Sequence, residues 1–121
     1  MEQAGCEHCL PPCAEAAWET QRGHTMLMRL VDEPHHSVTL LACPRCGQRF
    51  VKVFTETIDW QDGEDPQHWE LMPISEEEAR LLMIVVDLKT LPRRRSLVVD
   101  HPKGEELTLR WAAGVEVREH D

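Results

Sequence analysis

Two C-x-x-C pairs, Cys6-Glu7-His8-Cys9 and Cys43-Pro44-Arg45-Cys46, constrain this chain more than any other feature. Two intervening residues let a tight turn aim both sulfurs at one point. Two such turns supply four thiolates, a donor set that suits tetrahedral zinc at about 2.3 Å per Zn–S bond. The expected ligands are therefore Cys6, Cys9, Cys43 and Cys46, holding one structural Zn2+. Four thiolates close the coordination shell, whereas a hydrolytic zinc keeps a position open for water. A redox C-x-x-C is expected within a β-α-β pattern, and neither pair opens a long helix. Buried inert thiols are common singly, but two C-x-x-C pairs in one short chain argue against that reading.

The stretch Cys43-Pro44-Arg45-Cys46-Gly47-Gln48-Arg49-Phe50 has the form of a zinc knuckle. Gly47 permits the turn past the second ligand, and loop amides can donate to the thiolates. The paired motif resembles the zinc ribbons. That resemblance covers the two Cys pairs and the strands beside them, and it implies a metal-bound hairpin without implying an activity. The spacing departs from the tighter pattern. Thirty-three residues, 10 to 42, separate Cys9 from Cys43, against about 15–20 in that pattern. The longer loop leaves room for Cys13, His8, His24, His35 or His36 to replace a ligand. Otherwise Cys13 is expected to be a spare thiol.

The rest of the chain reads as a small α+β fold, an antiparallel sheet with one main helix, in a single zinc-binding domain over residues 1–121. Ala14–Thr20 suits a short helical turn after Pro11-Pro12. Thr25–Val31 and Ser37–Ala42 suit strands joined by a turn at residues 32–36. Gln48–Ile58 and His68–Met72 suit two more, flanking a polar loop. Ser75 with Glu78 three residues on is a capping box. Leu81, Leu82, Val85 and Leu88 then repeat at helical spacing, so a helix over 75–90 is expected, ended by Pro92. Ser96–Asp100 and Glu105–Trp111 suit a final hairpin, with Leu107, Leu109 and Trp111 alternating inward.

Charge narrows the function classes. The chain has 22 acids against 13 Lys and Arg, a formal charge of -9. Nucleic-acid binding is driven largely by cations neutralising phosphates, so this balance counts against it. The N-terminus lacks a secretory signal pattern, and no apolar run approaches the ~18 residues of a membrane helix. A cytoplasmic protein is expected, and in a reducing compartment the cysteines suit metal better than disulfides.

Between Lys52 and Arg80 there are nine acids and no Lys or Arg. The bland reading is a solvated loop and a helix start. The sharper one is a face that docks a basic protein, with Asp59, Trp60, Asp62, Glu64 and Asp65 as contacts and Trp69 as a core or interface anchor. An inhibitor or immunity-type protein for a basic partner suits this charge. The rival is a zinc-ribbon accessory protein on nucleic acid in transcription or translation, which requires Arg45, Arg49, Lys52 and Arg93–Arg95 to share one face. Asp59 to Asp65 lacks the alternate-residue spacing of a calcium loop. No catalytic constellation is present, so no enzyme activity is expected.

Overall fold

Six strands pair in the order in which they occur along the chain: β1 (Thr25–Glu33), β2 (His36–Ala42), β3 (Arg49–Glu56), β4 (Gln67–Ile74), β5 (Arg94–His101) and β6 (Thr108–Val115). All five pairings are antiparallel, so the sheet is a meander. Helix α1 (Ala14–Gln21) precedes it, and α2 (Glu76–Ile84) with a 3-10 turn (Leu88–Thr90) connects β4 to β5. The fold is α+β. This computed structural model describes residues 6, 8–56, 66–91, 94–102 and 106–115.

Successive side chains of a strand point to opposite faces, and both faces of this sheet are covered. On the first face Val38, Leu40, Val51, Val53, Met72 and Ile74 meet Ala79 and Leu82 of α2 and Leu88 of the 3-10 turn. On the second, Leu41, Phe50, Leu71, Leu97 and Val99 meet Cys9, Ala14, Ala17 and Cys43, with Trp18, Trp69 and Trp111 at the margin. The cover is diagonal: α2 packs on β1 and β3, while α1 packs on β5 and β6 across the sheet.

The capping box forms as its residues require. Glu78 N–H donates to Ser75 Oγ at 3.0 Å, and Ser75 N–H donates to Glu78 Oε1 at 2.7 Å. The helix is shorter than its apolar periodicity suggests, ending at Ile84 rather than reaching residue 90. Val85 is extended at φ -137°, within the β-branched run Ile84-Val85-Val86, which resists the helical rotamer. Val85 is consequently exposed, Leu81 lies on the outward side of α2, and Leu88 enters the core from the 3-10 turn instead.

The strands differ from expectation mainly at their ends. β4 runs on through Pro73, because β5 pairs with β4 only as far as Leu71 and the missing Pro73 donor falls beyond that ladder. β6 starts at Thr108, so Leu107 lies outside the strand and is exposed, while Leu109 and Trp111 pack inward. Edge strand β1 carries two register shifts. Such bulges twist an edge away from further pairing. No helix among the described residues is long and apolar enough to cross a membrane.

Candidate metal centre

The β2–β3 connection is the knuckle. Cys43 N–H donates to Gln48 O, and Gly47 N–H donates to Cys43 O, both at 2.9 Å. Gly47 adopts φ +79°, a left-handed conformation that glycine reaches without steric cost. This turn faces a second one at the N-terminus, closed by Leu10 N–H donating to Cys6 O at 2.9 Å. That turn leads directly into α1. Trp111 Nε1–H donates to Pro11 O at 3.1 Å, docking the segment on β6.

The four sulfurs Cys6, Cys9, Cys43 and Cys46 all lie within 4.8 Å of one another. Three of the separations are Cys6–Cys9 at 3.8 Å, Cys6–Cys43 at 3.9 Å and Cys9–Cys46 at 3.7 Å. A regular tetrahedron with bonds of about 2.3 Å to its centre has edges of about 3.8 Å, so the spacing fits a tetrahedral thiolate site. Backbone supports the sulfurs as well: Cys6 N–H donates to Cys9 Sγ at 3.2 Å. Cys13, His8, His24, His35 and His36 contribute no atom to the cluster. Cys13 is exposed, and its thiol donates to Glu15 at 3.1 Å.

Electrostatics around the sulfurs is uneven. Hydrogen bonding by the Cys9 backbone, against some burial, lowers the Cys6 thiol to about 7. Burial is the main influence on Cys9 and Cys46 and pushes both up. Four mutually close thiolates repel one another, so their joint ionisation calls for a divalent cation at the centre. The donor set and geometry make this a possible structural metal site. The cluster brings the N-terminal segment against the central hairpin. The first pair departs from the resemblance to zinc ribbons, because it sits in a turn before a helix. The chain matches no protein-family model, no curated protein and no solved structure.

The other proposed contacts fare differently. Asp59, Trp60, Asp62, Glu64 and Asp65 lie outside the described residues. Trp69 packs in the second core, edge-on to Trp18 with centroids 5.5 Å apart. Four acids of the cation-free window find partners elsewhere in the chain. Glu78 accepts from Arg94 at 2.6 and 3.0 Å, and Glu76 from Arg49 at 3.4 Å. Glu56 accepts from Gln67 and lies against His35. Glu70, buried on the first face, pairs with His68 at 2.8 Å, and His68 also bonds Asp100. Opposing Arg94, Glu78 is held below its ordinary value; burial works against this, but the guanidinium and the Ser75 amide outweigh it.

The cations are also divided. Arg49 and Arg94 reach toward α2, whereas Lys52 bonds Gln21 of α1 and Arg95 stacks over Trp111 on the other face. Arg93 lies outside the described residues.

Proposed function

We propose that this chain is a protein-binding module stapled by one structural zinc, and that its partner is a basic protein. The observation that carries this is the apolar surface at the end of α2. Leu81, Ile84 and Val85 expose 58%, 77% and 65% of their surface, and Met83 and Val86 add to the same stretch. Apolar side chains concentrated in this way on a soluble surface mark interaction sites. Met28 on adjoining β1 is exposed as well.

Charge selects the occupant. Exposed Glu77 heads the same helix, and the chain carries -9. A second copy brings the same negative charge and a polyphosphate brings more, whereas a basic protein is attracted. Asp59, Asp62, Glu64 and Asp65 contribute to that net charge. Blocking a basic enzyme, in the manner of an inhibitor or immunity-type protein, is a use that suits such a surface. The role is binding, without catalysis.

The test starts from a basic protein recovered with this chain from its native cell, repurified and titrated by calorimetry. Ile84→Asp and Val85→Asp should each weaken binding about tenfold or more while zinc content and melting temperature hold. Unchanged affinity in both variants would overturn the assignment of this surface. A concentration-dependent dimer abolished by the same substitutions would instead make the partner a second copy.

A further inference from the structure

On the second face a hollow remains between the end of α1 and strands β1–β4. There the sheet forms a concave cup of about 520 Å3, within the usual range for small-molecule sites. Its floor is Thr39, Leu41, Lys52, Phe54 and Trp69; the end of α1 forms one wall. Three cations, Arg22, Arg29 and Lys52, line it, and among the described residues no Asp or Glu does. In a chain of charge -9 that concentration of positive charge is the reverse of the average.

Two of its groups are poorly satisfied as they stand. Lys52 Nζ donates to Gln21 Oε1 at 2.9 Å and lies 5.2 Å from the Trp18 ring, but has no carboxylate partner among the described residues. Desolvation lowers its pKa, and the Arg22 and Arg29 charges lower it further, so an arriving anion relieves it. His24 is buried to 9% exposure, and neither ring nitrogen has a hydrogen-bond partner. A buried polar group without a partner is costly. Arg22 pairs with Glu19 at 3.8 Å and Arg29 with Asp32 at 3.6 Å, both exposed pairs that water screens. Beside the cations, Phe54 and Trp69 lie 5.2 Å apart, offering an aromatic wall.

We propose that this cup binds a small organic anion of mononucleotide size, its phosphate or carboxylate held by Arg22, Arg29 and Lys52 and its planar part against Phe54 and Trp69. His24, Thr39 and Gln67 supply neutral hydrogen bonds around it. The site is separate from the apolar surface on α2, and either stands without the other.

Zinc-loaded protein is titrated with AMP, adenosine, inorganic phosphate and benzoate, following tryptophan fluorescence and heat. Saturable one-to-one binding of an aromatic anion is expected, with adenosine at least about tenfold weaker because it lacks the charged contact. AMP tighter than benzoate assigns the cup to phosphate esters, and the converse assigns it to carboxylates. Lys52→Met should weaken the anion about tenfold, and Arg29→Gln, on the exposed edge strand, several-fold with zinc content unchanged. Three results would each overturn the proposal: no saturation by AMP or benzoate at millimolar concentration, equal affinity in Arg29→Gln and a folded Lys52→Met, or a single-stranded oligonucleotide preferred over AMP.

Discussion

The two faces of the sheet are closed by different physics. The first is covered by α2, whose start is set by a capping box spanning four residues and whose buried side chains are apolar. The second is covered by an N-terminal segment and α1, a helix of eight residues whose N-cap Cys13 makes no side-chain capping hydrogen bond. Neither helix, at eight and nine residues, gains much from its own backbone, and α1 lacks the capping box that α2 has. Helix α1 stays in place because Cys9 and Cys43 pack with Ala14 and Ala17 in one cluster. Local chemistry thus carries one cover, and a long-range cluster of four cysteines able to hold a metal joins the other to the sheet.

The strongest way to break this contrast is at that cluster. Zinc binding at such sites contributes on the order of 10 kcal/mol, because no site exists in the unfolded chain. Cys43→Ser should abolish stoichiometric zinc by elemental analysis and unfold the second face, while Cys13→Ser should keep both metal and melting temperature. Retention of a full zinc complement by Cys43→Ser would reject the four-cysteine set. Acid should release the metal too, as protons compete for the thiolates.

On the first face the largest loss should come from Leu82→Ala, which empties a fully buried site against Val51 and Met72. A cost of about 2–5 kcal/mol is expected in denaturant unfolding. Zinc stoichiometry in the folded variant should be unchanged, and its loss would show that the two covers are coupled. Smaller still is Ser75→Ala, which removes the cap and should cost about 1 kcal/mol. A neutral result would mean that the Glu78–Arg94 pair, not the cap, places α2.

The smallest effect concerns the polar end of the first face, beyond the reach of α2. The Glu70 carboxylate, against burial, and then Asp100 hold His68 above the ordinary imidazole value. A group raised on folding stabilises most below its unfolded pKa of about 6.5 and loses that contribution as pH rises through the folded value. Melting temperature should therefore decline on going from mildly acidic to mildly alkaline pH, and His68→Gln should flatten that part of the profile. Identical profiles would show that the His68 proton adds nothing to stability.

The features legible in the sequence were those carried by a few adjacent residues. The knuckle needs only Cys43, Cys46 and a glycine free to take a positive φ, and the α2 start needs only Ser75 and Glu78. Strand cores were legible for the same reason, since alternation is a local pattern, and a meander pairs neighbours in chain order. The α2 end is not legible locally, because periodicity at Leu81, Val85 and Leu88 is satisfied by a helix, whereas the β-branched run and the packing of Leu88 in the core decide otherwise.

Composition likewise indicated an acidic chain, and its sign does not depend on folding. Where the charges meet does. Glu78 finds Arg94 sixteen residues away, and Glu70 finds His68 two residues away only because a strand places alternate side chains on one face. Lys52, Arg22 and Arg29 share a cup because antiparallel pairing sets β1 two strands from β3 and the end of α1, capped by Arg22, lies beside them. The sequence alone nominated the two C-x-x-C pairs as metal ligands and showed where backbone must turn, while the exclusion of Cys13 and the histidines from the cluster came from the structure. Tertiary structure decided which charges are paired, which remain unpaired, and which surface stays open, because these depend on distances between residues that only packing brings together.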